Sequence, residues 1–181
     1  MLPPGHFAAG YLIAKAVVAI AQPNLTPHQL QALLLAGGFF GFAPDLDMFY
    51  MFWKERGLKQ TGAGGSHRAF LSHTPSVWLV AALSVALFGH TRFWYFLALI
   101  MWLCSWSHFL LDSTVMGIRW FYPFSKKFYA LKNPGLERKN LAVGFFRHWG
   151  NLLAMYYQDA PMTLCAEIAL VLAALIVATL G

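Results

Sequence analysis

The chain has 181 residues, of which 59% are apolar and only 11% are charged, whereas a soluble domain carries about 25% charged residues. This composition excludes an ordinary water-soluble globular domain and indicates one unit that lies partly in lipid. The formal net charge is +6, but the basic residues accompany no nucleic-acid-binding motif, so we expect no nucleic acid partner. Cys104 and Cys165 lie within apolar runs, which predicts small buried hydrophobic residues rather than a zinc or redox pair.

Five apolar stretches predict an all-α membrane bundle, with residues 1–181 forming a single helical domain. The stretches cover roughly residues 7–21, 28–43, 74–89, 93–111 and 161–180. A membrane-spanning helix needs about 20 residues, so the last two stretches are long enough, whereas the first three are short and could be tilted, shallow or partly re-entrant. Thr26-Pro27 and Thr74-Pro75 are typical of helix starts, because Pro is favoured in the first turn.

The basic residues predict the orientation in the membrane. If all five stretches cross, eleven of the thirteen Lys and Arg residues lie on the side of the N-terminus, in the 54–72 loop and in a basic, aromatic region over 112–160. Because positive charge marks the cytoplasmic face, we expect an inner-membrane protein with its N-terminus in the cytoplasm and its C-terminus outside. The basic surface suits anionic head groups, so membrane lipids are the expected partners.

His108 and Asp112 form the strongest local polar signal. They are four residues apart, about 40° around a helix, so both project from one face. An imidazole and a carboxylate at this spacing can hold one metal ion. The alternative is a histidine that simply hydrogen-bonds an aspartate at a helix end.

Asp45 and Asp47 follow Pro44 at the end of a glycine-rich apolar stretch. They are separated by about 200° on a helix, so regular helix cannot aim both at one ion. We expect one to bind while the other caps the next helix or holds a ligand from behind; simple helix capping is the alternative. Ionised carboxylates at membrane depth are costly unless they are paired or metal-bound.

His67 and His73 are six residues apart, about 240° on a helix, so only a turn between them could aim both at one point. Arg68 lies between them and carries a guanidinium suited to phosphate. His6 stands at the mouth of the first helix. An interfacial loop whose histidines and arginine meet lipid head groups is the alternative.

The topology favours a single site, because every candidate falls at a helix end on the predicted basic side, whereas unrelated polar residues would be divided between both faces. The candidates are His6, Asp45, Asp47, His67, His73, His108 and Asp112. His28, His90 and His148 have no acidic neighbour at ligand spacing and are predicted to be structural or solvated. The share of histidine favours one or two Zn²⁺ ions, with Mn²⁺ or Mg²⁺ as alternatives.

The motif order resembles a known family. GH near the N-terminus is followed by PDLD, by HR with a later SHT, by SHFLLDST and by GIRWFYPFS, over roughly residues 5–125. This order resembles the YdjM-like, LexA-regulated family of inner-membrane metal-dependent hydrolases, and the resemblance implies that the seven candidates are metal and catalytic residues. One departure is that the family usually places the two loop histidines five apart. A more distant likeness is to the zinc-dependent phospholipase C and P1 nuclease group, whose further H-x-x-x-E is missing here.

These observations together predict a membrane-bound metal-dependent hydrolase that cleaves a phosphoester of a lipid or other amphiphile. In this scheme Asp112 bridges two ions between His108 and His67, Asp47 is a base or water-orienting group, and Arg68 stabilises charge. The metal would lower the pKa of bound water to about 7. A proton or metal-ion transporter is one alternative, although the 161–180 helix offers only Glu167 at depth, and a non-catalytic lipid-binding scaffold is another.

Overall fold

The computed structural model describes residues 1–55, 67–114, 117–131 and 145–180. The described segments form seven helices: α1 (Pro3–Ala21), α2 (Pro27–Phe42), α3 (Leu46–Glu55), α4 (Pro75–Phe88), α5 (Arg92–Ser113), α6 (Phe145–Asp159) and α7 (Pro161–Leu180). Short 3₁₀ turns cover Ala43–Asp45, His67–Ala69 and Leu71–His73. Extended pairing within the described residues is limited to an isolated bridge between Ile118 and Tyr129. The predicted all-α class is therefore confirmed.

Four described segments are long and apolar enough to cross a membrane, namely Pro3–Ala21, Pro27–Met51, Arg92–Ser113 and Pro161–Leu180. α4 is apolar but has only 14 residues. The structure thus confirms the two long predicted stretches and lengthens the first two. α1 begins at Pro3 because proline is tolerated in the first turn, where amide donors have no helical partner. α2 passes through the 3₁₀ turn that contains Pro44 and continues as α3.

The start of α2 matches its predicted signal. Thr26 is the N-cap, and its side chain accepts a hydrogen bond from the backbone N–H of Gln29, whose own side chain accepts from the Thr26 backbone. This reciprocal capping box satisfies two otherwise unpaired donors. Thr74 is also an N-cap position, before Pro75, although its side chain contacts the Phe70 carbonyl rather than the helix.

Glycines bring α1, α2 and α5 into close contact. A Cβ atom on Gly10 would lie 2.2 Å from the carbonyl oxygen of Gly37, and one on Gly41 would lie 2.4 Å from the carbonyl oxygen of His6. Membrane helices associate through such small residues, because burial from lipid provides little hydrophobic drive. The buried contact also contains Ala14, Leu33, Ile100 and Cys104. The start of α1 and the end of α2 therefore lie directly beside α5.

α6 and α7 pack against the start of α1. The region over 112–160, predicted as a basic and aromatic loop, contains the whole of α6, whose Leu152, Met155 and Tyr156 are buried against Leu2 and α7. An amphipathic helix of this kind buries one face and leaves the other exposed. α7 contacts the bundle by one face only. Cys165 of α7 is exposed. The prediction that both cysteines are buried is therefore wrong for Cys165 and holds for Cys104.

Candidate metal centre

Five polar side chains from different helix ends meet in one buried cluster. His6 comes from the start of α1, Asp45 from the turn after α2, His73 from the turn before α4, and His108 and Asp112 from the end of α5. They form two groups, His6–His108–Asp112 and Asp45–His73–His108, and within each group the candidate ligand atoms all lie within 4.8 Å of one another. These buried groups could hold a metal ion, and they share His108.

The backbone of α2 determines which nitrogen of His108 faces the cluster. Its Nδ1 lies 2.9 Å from the carbonyl oxygen of Gly41, and a carbonyl can only accept, so Nδ1 carries the proton. The Nε2 lone pair therefore points into the cluster, where it lies 3.3 Å from His73 Nε2 and 3.7 Å from Asp45 Oδ1. The glycine at position 41 thus serves both the helix contact and the orientation of this imidazole.

His73 lies between the two carboxylates that follow α2. Its Nδ1 is 2.7 Å from Asp47 Oδ2, which also accepts a hydrogen bond from the Ser72 hydroxyl, and its Nε2 is 3.4 Å from Asp45 Oδ1. Burial disfavours the charged imidazolium, but the hydrogen bonds to Asp45 and Asp47 and their negative charges outweigh this effect and raise the pKa of His73 to about 9. At neutral pH a proton therefore occupies the position next to His108 that a metal ion would take.

Asp112 is fully buried and contacts two positive groups and an imidazole. Its Oδ1 accepts from the Met1 amine at 2.7 Å and lies 3.1 Å from His6 Nε2, while its Oδ2 accepts from Arg68 Nε at 2.9 Å. The His6 ring stacks on His108 with centroids 3.8 Å apart, and its Nδ1 has no hydrogen-bond partner among the described residues. Such charge-assisted bonds stabilise a buried carboxylate in its ionised form.

The structure brings six of the seven sequence candidates together with Arg68. Asp45 lies in the cluster and Asp47 lies behind His73, so the two carboxylates occupy different positions, as their spacing predicts. The side chain of His67 lies outside the described part of the chain, so its predicted role as a ligand stays a prediction. His28 and His90 are exposed and lie outside the cluster.

Three residues near the cluster were missed or left unused by the sequence reasoning. Arg119 donates to the carbonyl oxygens of Ala69 and Phe70, which holds the segment that carries His73. Glu167 of α7 is buried and accepts the Leu2 N–H at 2.9 Å. A single acid within a long apolar run is itself a functional signal, and Glu167 was noted in the sequence as such an acid but was given no role in the site.

Tyr156 of α6 is the third residue. It is fully buried, burial raises the pKa of its hydroxyl, and the hydroxyl has no hydrogen-bond partner among the described residues. The helical period of apolar residues over 145–159 was the available signal. It was missed because the whole 112–160 region was interpreted as a loop.

Comparison with known proteins agrees with the motif order. No curated protein sequence and no solved structure shows a significant match to the chain, so the distant likeness to the zinc-dependent phospholipase C and P1 nuclease group is not borne out. The profile of the YdjM inner membrane protein family matches residues 1–181, which includes the C-terminal part where no motif was recognised. With this match over its whole length and four helices able to cross a bilayer, the chain belongs to the YdjM inner membrane protein family.

Proposed function

We propose that this protein is a metal-dependent hydrolase of the inner membrane that cleaves a phosphoester of a lipid or other amphiphile. One observation carries the proposal. The candidate ligand atoms of Asp45, His73 and His108 lie 3.3, 3.4 and 3.7 Å apart. Ligands about 2.0–2.1 Å from a tetrahedral zinc ion lie roughly 3.3 Å from one another, so the separations of the three side chains suit such an ion.

The surrounding contacts support this ligand set. The carbonyl of Gly41 and the carboxylate of Asp47 each hold one imidazole by its Nδ1, and such outer contacts fix the tautomer of a metal-binding histidine. Two histidines and one carboxylate leave a fourth position open for water or substrate. Zn²⁺ suits this set best, with Mn²⁺ or Mg²⁺ as alternatives. When bound, the ion supplies a water whose pKa is lowered to about 7.

The number of lone pairs on His108 limits the number of metal ions that this residue can bind. Its Nδ1 proton is donated to Gly41, so His108 offers a single lone pair and can serve only one of the two groups at a time. The Asp112 group is also occupied by hydrogen bonds from Arg68 and Met1. We therefore assign the first ion to Asp45, His73 and His108, and a second ion would need ligands other than His108.

The other side of the cluster is suited to the substrate. Asp112 holds Arg68 by its Nε, and a guanidinium oriented in this way can bind phosphoester oxygens and stabilise negative charge. Asp47 orients His73 through Oδ2, while its Oδ1 has no hydrogen-bond partner among the described residues. Because the contact through Oδ2 is to the Nδ1 of His73 and the ion would lie at Nε2, the imidazole separates Asp47 from the attacking water, and we assign Asp47 to orient His73 rather than to accept the proton of that water.

The position of the cluster at the helix ends supports an amphiphilic substrate, because lipid head groups lie at that depth. It also argues against a transporter, which needs polar residues near the middle of the membrane. Glu167 is the acid that favours transport, but it lies near the start of α7 and bonds the N–H of Leu2, which precedes α1. We place the N-terminus and the site on the cytoplasmic side, in accordance with the distribution of basic residues.

Metal content and hydrolysis test the proposal directly. We expect purified wild-type protein, equilibrated with zinc and passed through a desalting column, to keep about one ion per chain and to hydrolyse a phosphoester. His108→Ala should lose both properties, and His90→Ala, which changes an exposed histidine, should lose neither. A wild-type protein without bound metal would support the scaffold alternative, and a fully loaded, fully active His108→Ala variant would remove the assigned site.

A further inference from the structure

A large apolar cavity lies beside the cluster, between α6, α7 and the residues that lead into α1. Its volume is about 690 Å³, within the range of roughly 300–1,000 Å³ typical of small-molecule sites. Leu153 of α6 and Ile168 and Leu172 of α7 line it and are each about half exposed. Because α7 is long and apolar enough to cross a membrane, we expect the cavity to open toward lipid.

The cavity and the cluster share one wall. Leu2 lines the cavity, and its N–H bonds Glu167, while the amine of the adjacent Met1 lies 2.7 Å from Asp112. Tyr156 packs against Leu2 and is fully buried. Two consecutive residues, Met1 and Leu2, therefore connect the lining of the cavity with the carboxylate that holds Arg68.

Glu167 is the buried polar side chain in the lining of the cavity. It is only 4% exposed, and its Oε2 has no hydrogen-bond partner among the described residues. A buried acceptor without a partner costs free energy. A hydroxyl or amide N–H on a bound molecule would satisfy this oxygen, and the remaining lining suits a hydrocarbon chain.

We infer that this cavity holds the apolar tail of the substrate while the phosphoester lies at the cluster, so that the substrate is a phospholipid-like amphiphile. The inference rests on the proposed hydrolase for the position of the phosphoester. A donor in the segment that joins tail and head group bonds Glu167 Oε2. Because the tail enters from the bilayer and not from water, its burial adds little affinity, and the cavity acts by positioning the head group at the cluster.

Crosslinking tests the occupant without requiring activity. The probe is lysophosphatidic acid, whose free glycerol hydroxyl is the donor that the inference requires, with a diazirine in its acyl chain, in phosphatidylcholine vesicles that contain the full-length protein. We expect peptide mass spectrometry to place the crosslinks at Leu153 and Ile168, in clear excess over a phosphatidylcholine probe with the same chain. Ala154→Trp, which fills the cavity from α6, should remove the excess, and Ala169→Trp, on an exposed position of α7 outside the lining, should retain it.

Kinetics separate this inference from the hydrolase itself. With a long-chain phosphoester lipid as substrate, we expect Ala154→Trp to lower kcat/KM about tenfold. With p-nitrophenyl phosphate, which has no tail, kcat/KM should not change. Wild-type protein that hydrolyses neither substrate would end the hydrolase proposal, and the crosslinks would still decide the occupant. Crosslinks spread evenly over the lipid-facing helices, and unaffected by Ala154→Trp, would overturn the tail site whatever the activity.

Discussion

The two sides of His108 differ in charge. On one side, the carboxylates Asp45 and Asp47 flank a single imidazole, that of His73. On the other side, one carboxylate, that of Asp112, is met by Arg68, His6 and the Met1 amine. An excess of carboxylate attracts a cation, whereas an excess of positive groups attracts an anion. The proposed metal ion therefore fits the side of His73, and the proposed phosphoester fits the side of Arg68.

The largest expected effect comes from removing a ligand on one side only. His73→Ala should lower zinc affinity more than 100-fold, since it removes one of three ligands and leaves Asp45 and Asp47 without their shared partner. His6→Ala, the matched change on the other side, should lower it less than tenfold. Chelator competition on both purified variants measures the difference. Equal losses of zinc affinity in the two variants would show that the ion is not bound on the side of His73 alone.

The pH dependence of zinc affinity should arise mainly from the protonation of His73. Because Asp45 and Asp47 raise the pKa of His73 to about 9, zinc has to displace a proton there, and its apparent affinity should rise about tenfold per pH unit between about 6.5 and 9. The metal-free protein has the opposite dependence: the proton stabilises the fold below about pH 6.5, and this contribution is lost as the pH rises through 9. Zinc titrations at four pH values measure the slope, and an affinity that is flat above pH 7 would contradict it.

The next largest effect on zinc affinity should come from Asp47, the carboxylate that holds His73 from outside the cluster. Asp47→Asn keeps the shape of the side chain but removes the charge that orients His73. Loss of such an outer partner typically lowers metal affinity by about 10–100-fold. Ser72→Ala, which removes the other donor to the same oxygen, is the control and should have a smaller effect. Unchanged zinc affinity in Asp47→Asn would exclude the orienting role.

The smallest expected effect concerns the anion side. Arg68→Lys keeps the positive charge but loses the planar fork that pairs with Asp112 and a phosphoester. We expect KM for the phosphoester to rise about tenfold while the zinc content stays at the wild-type value. Steady-state kinetics and elemental analysis on the same sample separate the two quantities. A variant that loses zinc but keeps its KM would place Arg68 on the metal side instead.

Much of the fold was predictable because apolar runs are local features. The lengths of α5 and α7 follow from runs that match the thickness of a bilayer. The extents of α1 and α2 did not follow, because Pro3 and Pro44 lie where a helix can begin or turn without losing a needed hydrogen bond. α6 was missed because its amphipathic pattern lies within a region rich in basic and aromatic residues.

The candidate residues were also predictable, but their pairing was not. Polar side chains at the ends of apolar helices stand out in the sequence because they are costly in lipid. Their partners come from distant segments: Asp47 meets His73, and Asp112 meets Arg68. No spacing rule connects positions so far apart.

Local sequence was therefore enough for the membrane helices and for the set of polar groups at their ends, because partition into lipid acts on each segment separately. Packing decided that the Nε2 of His108 faces His73, that Arg68 binds Asp112, and that α6 and α7 enclose a cavity beside them. The reason is that such contacts depend on how closely helices approach and how each is rotated. Here the glycines at positions 10, 37 and 41 set that approach.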